Sequence, residues 1–282
     1  MGIIISEPLP DEVNTGNSAK SNITVKLDKS LLNPDGKNII AAHCLDRGGL
    51  AYVDFGIFKE SDQKPVFAET ATQNSVKITS TQTKYDFTCG SVDLHLEFVS
   101  PLLMDDLDLL SRPVNYINYE VVSNDGETHD VEVYFEATPE WAVNELNQEV
   151  EVSIGKTGSV NFAKTGTTEQ PILEKKGDNV RIDWGYFYLA SEDSENKSTA
   201  IGDFSAMKTA FVENGKISSA DEKITAVLSN SMPVLASMDN LGEVSSTPAT
   251  GYVMVGYDDI ESIQYFGDNL KAWWTKGGEV SF

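Results

Sequence analysis

The chain has 282 residues, with 44 Asp and Glu against 21 Lys and Arg and a formal net charge of -23. That balance repels phosphate backbones and anionic membrane surfaces, so no nucleic-acid partner is expected. With 40% hydrophobic residues it is too apolar for a disordered acidic tail and long enough for a substantial core, and it lacks the apolar run of roughly 20 residues that a membrane span needs.

The opening Met1-Gly2-Ile3-Ile4-Ile5-Ser6 has neither the basic nor the apolar region of a signal peptide. Residues 1–64, rich in Asn, Lys and Asp before Gly48-Gly49, read as a lead-in segment of extra strands packed on the domain that follows. Strands are expected there at residues 23–27 and 51–58. Cys44 and Cys89 are the two cysteines. They form no CxxC pair and no framework, which leaves two free thiols or one bridge open. His43 beside Cys44 would face the opposite way on an extended strand, which defeats a dyad.

Alternation is strongest at Val92-Asp93-Leu94-His95-Leu96-Glu97-Phe98, where apolar side chains point one way and polar ones, His95 among them, the other. Two further β-rich runs, residues 116–122 and 131–135, flank Ser123-Asn124-Asp125-Gly126-Glu127. The Asp-Gly pair there predicts a hairpin, with His129 facing solvent beside it. Shorter strands are expected at residues 76–81, 150–154, 180–190, 209–212, 224–228 and 251–256.

Helical signals are few. Residues 139–146 read as a short helix with Pro139 in its first turn, and residues 218–223 open a helix or form a loop. Residues 258–274 place Ile260, Ile263, Phe266 and Leu270 at helical spacing, interrupted by Gly267, and such a face needs a surface to pack on. Trp273 and Trp274 need one too, because their large rings gain most when covered. Many short strands between Gly, Asn, Asp and Ser turns predict an all-β fold, a large antiparallel β-sandwich with a few short helices.

With three histidines, imidazole chemistry has little material. No His-Glu-x-x-His, phosphate-binding glycine loop or Gly-x-Ser-x-Gly elbow occurs, so no cofactor or metal is expected and the catalytic residues are left unassigned. Carboxylates are the abundant reactive groups. Asp105, Asp106 and Asp108 share a loop or helical turn with Arg112, either as calcium ligands or as acids at a helix start with one arginine pair. Asp178, Arg181 and Asp183 alternate before Trp184, Tyr186 and Tyr188. That mix of carboxylates and rings suits a small-molecule or glycan ligand, or equally a sandwich core with a salt-bridged edge. Glu140 with Trp141, and Asp258 with Asp259, complete the acidic spots. Paired acids can run glycoside hydrolysis only at a suitable carboxyl separation.

The string from Tyr85-Asp86-Phe87-Thr88-Cys89-Gly90-Ser91 through Phe98-Val99-Ser100-Pro101 to Asp108-Leu109-Leu110-Ser111-Arg112-Pro113 resembles the N-terminal domain of the glutaminase A family. Asn124-Asp125-Gly126, Tyr134-Phe135-Glu136-Ala137, Glu140-Trp141-Ala142-Val143-Asn144, residues 177–186 and Gly256-Tyr257-Asp258-Asp259-Ile260 are similar to the same family, in its order. The resemblance implies a β-sandwich domain over residues 65–274, residues 275–282 leading toward a domain of six helical hairpins. Such pairs are similar to glycoside hydrolases that join a large sandwich to an α/α toroid. It further implies a bacterial hydrolase, extracellular or periplasmic with its signal peptide absent from this chain. In that setting the domain is noncatalytic and packs on the helical domain. It lends loops to the cleft from Asp105, Asp106, Asp108, Arg112, Glu140, Trp141, Asp258 and Asp259. The alternative is a carbohydrate-binding or glycosidase-accessory module using Asp178, Arg181, Asp183, Trp184 and Tyr186. The resemblance carries over no catalytic residue.

Overall fold

The computed structural model describes residues 66–67, 69–178 and 180–276. The strands expected at residues 23–27 and 51–58, the lead-in segment, His43 and Cys44 lie outside the described residues. The fold is all-β, as the alternation predicts. Nine strands form one antiparallel sheet. In spatial order they are β1 (Thr72–Ile78), β2 (Gln82–Cys89), β3 (Val92–Val99), β4 (Val114–Ser123), β12 (Ala249–Asp258), β8 (Tyr186–Glu192), β7 (Val160–Thr167), β6 (Glu149–Thr157) and β10 (Lys223–Val227). A second sheet holds β11 (Pro233–Val244) between β5 (His129–Ala137) and β9 (Lys197–Asp203).

The register explains the core. Leu94 pairs with Val121 and Leu96 with Tyr119 across β3 and β4, and Val253 pairs with Ile117 across β12 and β4. Opposed residues share a face, so these side chains line one wall. Leu189, Ala163 and Val152 continue it across β8, β7 and β6, and Leu235, Ile201, Phe135 and Ala137 of the small sheet close it from the other side. The small sheet is buried on its second face as well. Val234, Ala236 and Met238 pack there with Met207 and Phe211 of helix α2 (Phe204–Asn214).

Several expectations are corrected. β4 and β5 flank the Asp-Gly turn but form no hairpin, since β4 belongs to the large sheet and β5 to the small one. Both edges of β4 are taken by β3 and β12, so the chain must leave the plane. The turn is built as expected nonetheless. Gly126 has φ of 84°, and Asp125 Oδ1 accepts from Ser123 Oγ, Glu127 N and His129 Nε2 at 2.9–3.0 Å. Those hydrogen bonds, that from His129 first, hold the Asp125 carboxyl below the usual range. A carboxyl depressed on folding stabilises fully above its unfolded pKa of about 4 and loses that contribution as pH falls through the folded value. Thermal stability is therefore expected to drop below about pH 4, and Asp125→Asn to flatten that drop in a melting series across acid pH.

Residues 209–212 lie inside α2 rather than a strand. Asp203 caps the helix start by accepting from Ser205 N and Ala206 N at 3.0 Å, and Gly215 ends it at φ of 59°. These caps outweigh the strand preference of Thr209 and Val212. The expected strand at 180–190 begins only at Tyr186, after Gly185 turns the chain at φ of 77°. The helix expected at 139–146 shortens to a 3₁₀ turn, Pro139–Ala142, and residues 218–222 are a loop.

The largest correction is at residues 258–274. The expected amphipathic helix is instead the end of β12, a hairpin of β13 (Ile263–Tyr265) and β14 (Asp268–Leu270), and a 3₁₀ turn at Trp273–Thr275. Phe266 and Gly267 form the two-residue connection with φ of 48° and 97°, the positive pair of a type I′ turn. Gly267, which broke the helical pattern, is what the hairpin requires.

Candidate functional site

The sequence-selected positions gather at one end of the sandwich. This is the end where β12 finishes and β4 and β8 begin. Asp106 caps α1 (Leu107–Ser111), accepting from Asp108 N and Leu109 N at 3.0 Å. Acids at a helix start are thus the arrangement found. Asp108 instead ion-pairs with Lys276 at 2.6 Å, which ties α1 to the Trp273–Thr275 turn and holds its carboxyl below the usual range. Asp105 and Arg112 are exposed, and Arg112 makes no ion pair among the described residues. Among those residues no cluster of three His, Cys, Asp or Glu side chains is placed to hold a metal ion.

Glu140 accepts from Thr138 Oγ1 at 2.9 Å, and Trp141 lies flat on Phe187 with ring centroids 5.9 Å apart and planes 15° from parallel. Phe187 pairs with Tyr257 across β8 and β12, which brings Trp141 to the same end. The Tyr257 hydroxyl donates to Trp184 O at 2.6 Å, and Trp184 Nε1 donates to Glu261 O at 3.1 Å. Asp258 Oδ1 accepts from Ile260 N and Asp259 Oδ1 from Ser262 Oγ, both at 2.9 Å. These two acids shape the turn that leads into the β13–β14 hairpin.

Asp183 is fully buried. Its Oδ2 meets Lys175 Nζ at 2.5 Å and accepts from Gln148 Nε2 at 2.9 Å, while Oδ1 has no hydrogen-bond partner among the described residues. Burial first, and then the Asp183 charge, raise the Tyr257 hydroxyl above its usual range. Arg181 and Asp178 are exposed, and Arg181 is placed through its backbone N–H, which donates to Asn144 Oδ1 at 2.9 Å. Tyr186 sits under Lys164, whose ammonium is 4.6 Å from the ring centre. Tyr186 and Tyr188 meet edge to face at 69°, and Tyr188 is buried. The aromatic set of β8 therefore offers no flat platform.

Beside these charged groups, this end presents many large apolar side chains to solvent. Leu102, Leu103, Met104 and Leu107 lie exposed before and within α1, with Met104 at 85%. The hairpin adds Ile263, Tyr265, Phe266 at 92% and Leu270, and Trp273 is 64% exposed. A surface groove of about 700 Å³ runs between Asp108 and the stretch Asn269–Lys276, lined by Leu270, Ala272 and Trp273. Trp141, 66% exposed, extends the apolar surface on the β8 side. Monomer surfaces rarely gather so many large apolar side chains without a partner. Trp274, in contrast, is buried.

A second groove, of about 560 Å³, lies elsewhere, on the face of the large sheet that points away from the small one. Lys84, Glu97, Asn118 and Tyr252 form one cross-strand row over β2, β3, β4 and β12, and Asp86, His95, Glu120 and Thr250 form the next. His95 Nδ1 lies 2.6 Å from Asp86 Oδ1. None of these positions except His95 was singled out from sequence, where the polar half of each alternating strand reads as an ordinary wet face. Cys89, near the turn joining β2 and β3, is a free thiol that burial pushes above its usual range.

Comparison with known proteins adds the following. Residues 81–280 match the family described as Domain of unknown function (DUF5127). Over 200 residues the chain is 30% identical to a glutaminase A from Aspergillus oryzae, an alignment covering 70% of this chain and 29% of that protein. The chain thus spans under a third of the length of this relative. Solved structures with partial likeness include one described as a kojibiose phosphorylase from the human microbiome. It is 9% identical, with a TM-score of 0.34 over 62% of this chain and 17% of that one. Another is the heparan sulfate lyase HepC from Pedobacter heparinus, 9% identical with a TM-score of 0.33, covering 66% and 21% of the two chains. Both scores are too low to bear on function.

Proposed function

Because the chain belongs to the DUF5127 family of glutaminase A-like N-terminal domains, we propose that it is the noncatalytic β-sandwich of a hydrolase, packed through one end against a helical-hairpin domain of the same polypeptide. The observation that supports this reading is the exposed apolar end around Met104, Trp141, Phe266 and Trp273. Apolar area of this kind stabilises an interface by about 25 cal/mol for each Å² removed from water. The acids around it already have local work. Asp106 caps a helix, Asp258 and Asp259 shape a turn, and Asp108 pairs with Lys276. Hydrolysis of an amide needs a nucleophile or activated water together with donors for the developing oxyanion, and in this reading the helical domain supplies them. In this reading the loops of α1, the 3₁₀ turn at Trp141 and the β13–β14 hairpin wall the helical domain's cleft from one side.

The test is to assay glutamine hydrolysis by this chain alone, by the helical part alone, and by the two together. The expected result is no turnover by this chain and an increase when it joins the helical part. Turnover by this chain at a rate comparable to the whole would overturn the noncatalytic reading.

A further inference from the structure

The groove on the outer face of the large sheet holds a lysine whose surroundings are unusual. β8 pairs with β12 only along Met254–Asp258, so the edge of β12 at Thr250–Val253 is open. Lys197, at the start of β9, and Glu192, at the end of β8, line the groove there. The Lys197 side chain is 10% exposed, yet its ammonium donates no hydrogen bond to any described residue. Its nearest carboxylate, Asp239 Oδ2, is 3.7 Å away and already accepts the Tyr119 hydroxyl at 2.6 Å. The ammonium also lies 4.7 Å from the centre of the Tyr252 ring. The ammonium thus has one distant carboxylate and one ring beside it but no hydrogen bond, in a largely buried setting where an unmet donor is costly.

The rest of the groove supplies the opposite character. The side chains of Glu120, Glu192 and Thr250, which line it, have neither an ion pair nor a hydrogen bond among the described residues. Tyr252 is backed by Tyr116, their ring centres 6.0 Å apart. An anionic ligand would be repelled by the two unpaired carboxylates, and a cationic one by Lys197. A hydroxyl both donates and accepts, so it satisfies an ammonium and a carboxylate at once. The groove spans four strands, about 14 Å from β2 to β12 at ordinary strand spacing, the reach of a short oligosaccharide rather than of a single amino acid.

We propose that this groove binds a neutral oligosaccharide, with sugar hydroxyls bridging Lys197 to Glu120 and Glu192 and one ring lying beside Tyr252. The site is separate from the apolar end, so it stands or falls independently of the docking reading. The test uses maltotriose, cellotriose and mannotriose, each at about 10 mM, well above a millimolar Kd, with amide shifts of the full chain followed by NMR. The expected result is shifts confined to β2, β3, β4, β12 and the turn from Glu192 to Lys197 with at least one trisaccharide. Binding should weaken by about fivefold or more in Tyr252→Ala and in Glu120→Gln, two replacements at partly open positions whose spectra report directly on folding. No shift with any of the three, shifts elsewhere, or equal binding by both variants would overturn the proposal. Stronger shifts of the same amides with L-glutamine would overturn it in favour of a zwitterion site.

Discussion

Leu235→Ala is expected to lower the free energy of unfolding by about 3 to 4 kcal/mol, the middle of the range for a buried leucine. Leu235 is fully buried on the central strand of the small sheet, opposite Ala137 on β5 and Ile201 on β9. Its side chain meets the wall formed by Leu189 and Val152. Sheets on both sides fix their backbones through their own ladders, so the cavity cannot collapse. Urea unfolding measures the loss, and the matched control is Leu103→Ala, exposed beside α1, which should stay within about 0.5 kcal/mol of the parent. A Leu235 effect no larger than the control would mean that the two sheets do not share this core.

The double variant Phe266→Ser and Trp273→Ser should behave in the opposite way. Both side chains are mostly exposed, so stability of the chain alone should change by less than about 1 kcal/mol. Affinity for the helical domain should fall by about 100-fold or more, because large aromatics at the centre of an interface carry most of its energy. Calorimetric titration of the separately produced helical part into each form reads the difference. Retained affinity would place the interface elsewhere on the sandwich.

The parts of this fold that were legible in the sequence are those with one wet and one buried face. Val92 to Phe98 alternates without a break and is β3, with Leu94 and Leu96 inward and His95 and Glu97 outward. β11 gave no such signal. Val234, Ala236 and Met238 face α2 while Leu235 faces the large sheet, so burial on both sides erases the alternation that marks a strand. The Asp-Gly turn was readable as a turn, but nothing local specifies whether the chain returns beside β4 or crosses to the other sheet. That is decided by β12, more than 120 residues later, which occupies the free edge of β4. Residues 263–270 misled for a different reason. Apolar side chains on both faces of an exposed two-stranded hairpin happen to fall at helical intervals.

The candidate site divides along the same line. Asp105, Asp106 and Asp108 read either as calcium ligands or as acids at a helix start with one arginine pair, and of the three it is Asp106 that caps α1. The convergence of Trp141, Trp184 and the residues following Asp258 on one end depends on contacts between β8, β12 and the loop after β5, which no short motif encodes. The outer-face groove was invisible for a simpler reason. Lys84, Glu97, Asn118 and Tyr252 come from four strands and form a row only once the register is set.

The central claim is that the apolar end of this sandwich is a covered surface in the working protein. Amide hydrogen exchange tests it most directly, followed at residues 102–107, 141–146 and 263–273 with and without the helical domain at saturating concentration. The account predicts that exchange slows in all three segments on binding while β2 and β3 are unchanged. Binding that leaves these amides exchanging at their free rates would contradict it.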